Sequence, residues 1–226
     1  MGELIVLSVG GSVIAPEAPD IEFLKRFREF VLSHIEKGYR FAIVAGGGKV
    51  CRVYQDAARG VRPMTDEDLD WIGIYATMFN ANFVRQLFNE VAHPRIIVNP
   101  TEAIDFKEQV LVASGWLPGC STDYDTVLLA KNLGAKKLVN LSNIDHVYDK
   151  DPNKNPDAKP INDIGWGDFR ALLPEKWDPG LHVPFDPVAA AEAEKDGMEV
   201  VIMDGKDLAS LENYLLGKEF KGTLIR

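Results

Sequence analysis

The chain has 226 residues, 46% of them hydrophobic and 26% charged, which are the proportions of a soluble globular protein long enough to bury a full core. Its formal net charge of −9 argues against broad nucleic-acid or membrane surfaces, which require clustered positive charge. Cys51 and Cys120 are too few for a disulfide framework, and no apolar run approaches the roughly 20 residues that span a bilayer. The N-terminus shows no secretory signal pattern, so we expect a cytoplasmic protein without nucleic-acid or membrane partners.

The first half of the chain alternates predicted strands with predicted helices. A buried strand over residues 3–9 precedes a helix that Asp20 caps and Gly38 ends. A second strand covers residues 41–45, a short helix covers 50–58, and a long helix starts at Asp66 and runs to about residue 91. Strands over 95–98 and 109–113 follow. A loop over 114–120 then leads into a helix over 122–132.

The second half continues the alternation. A strand over 136–141 leads into a turn-rich segment over 149–166, and a helix follows that Asp186 caps with Pro187 at its first position. A strand over 199–203, a helix over 207–216 and a terminal strand around 223–225 complete the chain. The alternation predicts an α/β fold, a three-layer sandwich with a mostly parallel central sheet. No repeat or linker interrupts it, so we expect a single domain over residues 1–226.

Two predicted strands end in glycine-rich turns, Gly10-Gly11-Ser12 and Gly46-Gly47-Gly48-Lys49. Glycines leave backbone N–H groups open to an anion, and ligands of open α/β sheets bind at the carboxyl ends of strands. Neither turn has the spacing of a Walker A loop or of a dinucleotide fingerprint. The alternative is a pair of tight strand–helix connections with an exposed lysine. The occurrence of two such turns favours two phosphate-holding loops, which would suit phosphoryl transfer between two ligands.

Charged residues near these turns are candidates for the same chemistry. Arg52 lies one helical turn beyond Gly48, where its planar guanidinium could bind phosphate in a bidentate manner; the alternative is an ion pair with Asp56. Asp123 and Asp125 lie at a loop-to-helix junction, where a carboxylate could orient cationic groups or Mg²⁺. The alternative is an ordinary capping pattern, with Ser121 or Thr122 as N-cap and Asp125 three or four residues further on. Spacing alone does not single out Asp70 within its acidic helix start.

Together these features resemble the amino-acid-kinase superfamily, and most of all its UMP kinases of archaeal type, over nearly the whole chain. The motifs that carry the resemblance are Gly10-Gly11-Ser12, Gly46-Gly47-Gly48-Lys49-x-x-Arg52, Asp70-x-x-Gly73 with Asn80-Ala81, Ser121-Thr122-Asp123, Asn143-x-Asp145-x-Val147-Tyr148, Asp151-Pro152 and Asp186-Pro187-x-Ala189. The resemblance implies in-line transfer of the γ-phosphoryl group of MgATP to UMP, giving UDP. It also implies a homo-oligomer, for which a hexamer is suggested. Residues of about 1–135 would bind the acceptor and those of about 136–226 would bind ATP.

The resemblance assigns roles to individual residues. The ATP-binding residues would be Ser8, Gly10, Gly11, Ser12, Gly48, Arg52, Ser142, Asn143, Tyr148 and Asp151. The UMP-binding residues would be Gly47, Asp70, Leu117, Pro118, Gly119, Cys120, Ser121, Thr122 and Asp123. Asp123, Arg52 and Lys49 would act in catalysis. Mg²⁺ would be carried by ATP, without direct protein ligands.

The chain departs from the family pattern at several positions. Ser8 stands where many superfamily members carry a lysine, a departure shared by the archaeal-type branch. Gly115 and Leu117 stand where bacterial-type UMP kinases place Thr and Asn, His146 replaces the usual glycine after Asp145, and residues 177–184 are rich in Trp, Pro and His. The alternatives are therefore a kinase for isopentenyl phosphate or another nucleoside monophosphate, or a nucleotide-binding protein that resembles the molybdenum storage proteins. Ser8 counts against the isopentenyl phosphate kinases, which keep the lysine.

Overall fold

The computed structural model describes residues 2–174 and 183–226 and arranges them around one seven-stranded sheet with the strand order β3-β2-β1-β4-β8-β9-β7. Trp177 and His182, in the segment noted for its composition, lie outside the described residues. The strands are β1 (Leu4–Val9), β2 (Arg40–Ala45), β3 (Val110–Ala113), β4 (Lys137–Ser142), β5 (Val147–Tyr148), β6 (Pro160–Ile161), β7 (Asp163–Ile164), β8 (Glu199–Asp204) and β9 (Thr223–Ile225). The helices are α1 (Gly11–Ile14), α2 (Ile21–Glu36), α3 (Gly48–Val61), α4 (Asp66–Leu87), α5 (Thr122–Asn132), α6 (Trp166–Ala171), α7 (Pro187–Lys195) and α8 (Leu208–Leu215).

The neighbouring strands β3, β2, β1, β4 and β8 are parallel to one another, and β9 pairs antiparallel to β8. Val6 on the central strand β1 lies opposite Ala42 of β2 and Leu138 of β4. Continuous runs of Val, Ile and Leu form these strands because both faces of a parallel sheet are covered. The carboxyl ends of β1, β2, β3 and β4 therefore lie along one edge, and the predicted mostly parallel α/β fold is confirmed.

Two hydrophobic cores cover the two faces of the sheet. On one face Phe23 and Phe27 of α2 pack with Val84 of α4 and Leu211 of α8. On the other face α5, α6 and α7 pack their buried residues, among them Phe169, against the sheet. The helices cover both faces of the sheet, which yields the three predicted layers.

Local signals placed most element boundaries correctly. The carboxylate of Asp20 accepts the backbone N–H of Phe23 at 3.1 Å, and Asp186 accepts the N–H groups of Val188 and Ala189, so both predicted caps are confirmed. The predicted strand over residues 95–98 is wrong, because within this stretch only Ile97 forms an isolated bridge to β3. The predicted start of α3 at residue 50 is also wrong, since the helix begins at Gly48 and continues to Val61.

Within the described ranges, no helix combines the length and the apolar character that crossing a bilayer requires.

Candidate active site

The two glycine turns pack against each other, backbone to backbone. A Cβ atom added to Gly11 would lie 2.1 Å from the amide nitrogen of Gly48 and 2.6 Å from the carbonyl oxygen of Gly46. Gly48 has φ +66°, a conformation that favours glycine. The Gly46 amide donates to the Val9 carbonyl at 2.9 Å, and this hydrogen bond joins the second turn to the end of β1. Both predicted anion-holding turns therefore form one backbone surface at the carboxyl edge of the sheet.

Helix α3 starts from this surface with its first N–H groups uncapped by any side chain, because Gly47 is its N-cap. The side chain of Arg52 is exposed one turn further on, and it forms no hydrogen bond or ion pair with another described residue. Asp56, its expected alternative partner, instead accepts from Arg59 at 2.8 Å. The ammonium group of Lys49 is paired with Glu17. Of the two predicted cations, Arg52 is thus the one that can meet an anion without first breaking an ion pair.

Two buried polar residues of α4 hold the glycine turn and the loop beside it. Asn80, 3% exposed, donates its amide to the carbonyl oxygens of Gly46 at 2.7 Å and of Gly47 at 3.2 Å. Thr77, one helical turn earlier and 6% exposed, accepts the backbone N–H of Gly115 at 2.8 Å. Asn80 is one of the motif residues of the family resemblance, but the sequence assigned a role in the site to neither residue. Their signal was a pair of polar side chains on the apolar face of a predicted helix.

The loop over residues 114–121 runs beside the glycine turn and is held at three backbone N–H groups. Besides Thr77 at Gly115, Asp125 accepts from Trp116 at 3.1 Å and Asp70 accepts from Gly119 at 2.8 Å. Gly119 has φ +79° and the Cys120 amide donates to the Leu117 carbonyl, so residues 117–120, including Pro118, form a tight turn. Asp70 thus faces this loop, and its predicted contact with the ribose of UMP stays a prediction.

Asp123 lies at the start of α5 with neutral hydrogen-bond donors around it. Asn140 donates to Oδ1 at 3.3 Å, the Asp186 amide donates to Oδ2 at 3.2 Å, and the Ser8 hydroxyl is a further donor. Burial, with the nearby Asp186 charge, outweighs these bonds and raises the pKa of Asp123 to about 7. Ser121 is the N-cap of this helix, accepting from the Tyr124 amide at 3.1 Å. Capping is therefore the task of Ser121, which leaves Asp123 available for chemistry.

Three carboxyl groups lie close to one another at this junction. Burial and the charges of Asp186 and Asp123 raise the pKa of Asp125 to about 7, and one buried oxygen of Asp125 has no partner among the described residues. Burial and neighbouring carboxylates, Asp125 first among them, raise the pKa of the Cys120 thiol to about 11. Thr122 opens α5, and its carbonyl accepts from the Thr126 hydroxyl at 2.5 Å. The junction is an acidic environment suited to a ligand that brings positive charge with it.

The residues predicted to hold adenine and its ribose follow β4. Ser142 ends β4 and its hydroxyl accepts the Ile144 amide at 3.2 Å, and Asn143 beside it is exposed. The Tyr148 hydroxyl donates to Asp145 at 2.9 Å, and Lys221 pairs with the same carboxylate at 2.9 Å. Lys221 in particular lowers the pKa of Asp145 to about 2.

His146 and Asp151 complete this part of the site. His146 is buried, with Nδ1 3.6 Å from Asp145. Asp151 is exposed and accepts from the Asn153 amide at 2.9 Å. None of the hydrogen bonds among residues 2–174 and 183–226 joins Asp151 to Ser142, Asn143 or Tyr148. Its assignment to the ribose therefore stays a prediction.

Comparison with known proteins agrees with the fold. The model of the amino acid kinase family matches residues 3–204. A uridylate kinase of Pyrococcus abyssi is 33% identical over 225 residues, which are 98% of this chain and 98% of the relative. A uridylate kinase of Thermococcus gammatolerans is 35% identical over 225 residues, with the same coverage of both chains.

Solved structures show the same similarity. The crystal structure of a uridylate kinase from Archaeoglobus fulgidus superposes with a TM-score of 0.85 at 28% identity, over 98% of this chain and 99% of the other. A UMP kinase from Bacillus anthracis shares the fold with a TM-score of 0.79 at 19% identity, over 99% of this chain and 96% of the other. The resemblance expected from the sequence motifs is thus confirmed, and the chain belongs to the amino acid kinase family.

Proposed function

We propose that this protein transfers the γ-phosphoryl group of MgATP to UMP, giving ADP and UDP. The observation that carries the proposal is the contact between the two glycine turns, beside which Asp123 and the 114–121 loop lie. Two anions bound at such adjoining turns would have their phosphate groups next to each other, as direct transfer requires. The uridylate kinases among its relatives support UMP as the acceptor.

Catalysis in this proposal consists of positioning and charge neutralisation. The free N–H groups at the start of α3 and the guanidinium of Arg52 would bind phosphate oxygens, and Gly47 would approach the phosphate of UMP. ATP would enter as its Mg²⁺ complex, which supplies positive charge beside the carboxylate of Asp123. Neutral donors hold that carboxylate in place, so it can orient the incoming charge without a competing ion pair.

The two substrates would occupy opposite ends of the site. Ser142, Asn143 and Tyr148 follow β4 and would hold the adenosine part, whereas Asp70 and residues 117–123 would hold UMP. Asp70 already accepts a hydrogen bond from Gly119, and its second oxygen remains for a ribose hydroxyl. Cytoplasmic placement belongs to this proposal, with the two free cysteines as its support.

The test is an assay of ADP release with MgATP and a panel of acceptors: UMP, CMP, AMP, GMP and isopentenyl phosphate. We expect turnover with UMP and little with the others. Turnover with isopentenyl phosphate or another nucleotide would show that the acceptor is not UMP, while the proposed phosphoryl transfer would stand. ATP binding without turnover on any acceptor would contradict the proposal and favour a nucleotide-binding role.

We also propose that the protein is a homo-oligomer in which a second copy covers α3 and α4. Helix α3 has 14 residues and none is buried, and its Tyr54 is 66% exposed. On α4, Trp71, Tyr75 and Phe79 recur every four residues and are 37%, 63% and 69% exposed. With about 200 Å² for each aromatic side chain, these four residues expose ~470 Å², over half of the ~800 Å² that one partner buries in a standard interface.

The oligomer can be tested by light scattering coupled to size-exclusion chromatography. Tyr75→Glu should lower the measured mass, whereas Ile21→Glu, which also charges an exposed apolar residue but at the start of α2, should leave it unchanged. A monomeric wild-type protein at micromolar concentration would refute this proposal.

A further inference from the structure

Asp125 is a buried carboxyl group for which neither capping nor the proposed chemistry accounts. It lies in the first turn of α5, two residues beyond Asp123, and only 1% of it is exposed. An acidic residue in a first turn ordinarily complements the free N–H groups of its own helix. Here Ser121 caps the helix, and Asp125 instead bonds to Trp116, nine residues earlier. Its side chain therefore serves the loop rather than the helix.

This placement is unfavourable for stability. Oδ1 of Asp125 is buried and lacks a partner among the described residues, and Asp123 and Asp186 are like charges nearby. A buried carboxyl group in such surroundings costs more than an apolar residue of similar size would. Groups held at such a cost are concentrated at functional sites, where their geometry is used.

The contact with Trp116 links two parts of the site. Thr77 and Asp70, the other two residues that hold the 114–121 loop, both belong to α4. Asp125 belongs to α5, the helix that carries Thr122 and Asp123. The Trp116–Asp125 hydrogen bond therefore fixes the loop relative to the helix on which the reacting centre would be built.

We propose that Asp125 is a positioning residue for the acceptor: by holding the Trp116 N–H group it sets the distance between the 114–121 loop and Asp123, and so the place of the acceptor phosphate. The inference rests on the proposed kinase function. Only an acceptor oxygen is needed for the Trp116 contact, so an amide oxygen at the same position can replace the carboxylate oxygen. A branched apolar residue cannot.

The experiment compares Asp125→Asn with Asp125→Leu. Leu removes the hydrogen-bond acceptor at similar volume, and we expect the KM for UMP to rise about tenfold or more while the KM for ATP changes by less than about twofold. Asn keeps the acceptor, and we expect it to restore the KM for UMP to within about threefold of wild type. Asp105→Leu removes a carboxylate from an exposed loop position away from the site and serves as the matched control.

A second measurement does not depend on turnover. Hydrogen exchange of the peptide that covers residues 114–121 should be faster in Asp125→Leu than in wild type and unchanged in Asp125→Asn. If Asp125→Leu does not fold, Asp125→Ala, which only removes atoms, takes its place. An unchanged KM for UMP in a folded apolar variant, or equal loss in Asn and Leu, would overturn the positioning role. Wild-type protein inactive on every acceptor would instead overturn the kinase function, and the positioning role with it.

Discussion

The raised pKa of Asp123 makes protein stability depend on pH in a way that one substitution can reveal. Its pKa is raised from 3.8 to about 7 in the folded protein. The folded state therefore holds this proton more tightly than the unfolded chain does. The contribution of the neutral carboxyl group is complete below the unfolded pKa and is lost as the pH rises toward the folded pKa. Stability should accordingly fall between pH 5 and pH 8.

The magnitude follows from the same two pKa values. Between pH 5 and pH 8, Asp123 holds close to one more proton in the folded state than in the unfolded chain over roughly two pH units. The free energy of unfolding should therefore fall by about 2–3 kcal/mol as an upper limit. For a chain of this length that amounts to roughly 4–12 °C in melting temperature. Asp123→Asn removes the ionisation, so the variant should lose less stability than wild type over this range.

The assay is thermal unfolding of wild type and Asp123→Asn at pH 5 and pH 8 in the same ionic strength. Only the difference in pH dependence matters, because both oxygens of Asp123 accept from donors and the amide loses one of these bonds at every pH. Asp125 titrates nearby, so Asp123→Asn with Asp125→Asn should flatten the curve further. If the melting temperatures of wild type and of Asp123→Asn change equally between pH 5 and pH 8, the raised pKa of Asp123 is refuted. In the same preparations, Asp123→Asn should lower turnover far more than ATP affinity.

Three further predictions, two of them with a comparison variant, separate structural from functional roles. Gly11→Ala should lower the melting temperature and abolish ATP binding, because its Cβ would overlap the backbone of the second glycine turn; Gly167→Ala, with nothing within 4 Å of its added Cβ, should unfold like wild type. Arg52→Gln should lower kcat/KM by about a hundredfold with an unchanged melting temperature, whereas Lys49→Met should cost much less; equal losses would contradict the distinction drawn from the Glu17 ion pair. Asp70→Asn should chiefly raise the KM for UMP, and a variant that unfolds instead would mark Asp70 as a structural residue that secures the Gly119 turn.

Most of the fold could be predicted because its signals are local. Apolar runs mark the strands, and helical periodicity marks the helices that cover the sheet. Caps such as Asp20 and Asp186 mark where helices start. The wrong strand over residues 95–98 has a physical reason. Its apolar run resembles a strand, but Pro94 has no N–H to donate, and only scattered bonds, such as that from the Ile97 amide to Val112, join the stretch to β3.

In the candidate site, too, features with local signals could be predicted and features that depend on distant contacts could not. The two glycine turns could be recognised because the strand, the glycines and the following helix are consecutive in the chain. The roles of Thr77 and Asp125 could not be predicted, because they depend on contacts with Gly115 and Trp116, which are 38 and nine residues away. Asp70 needed the family resemblance, since in the sequence it is one carboxylate among several. Residues that hold another segment's backbone leave almost no pattern in their own neighbourhood.

The regular spacing of α4 explains how these distant segments come into register. Asp70, Thr77 and Asn80 are seven and three residues apart, which places them on one side of the helix, about 10 Å and 4.5 Å apart along its axis. Asp70 holds Gly119, Thr77 holds Gly115, and Asn80 holds Gly46 and Gly47. The loop over 114–121 therefore lies along α4, with Gly115 at the end next to the glycine turn and Gly119 at the far end, beside Asp70. A nucleotide lying along that line, with its ribose at Asp70, would have its phosphate at the end where the two glycine turns meet.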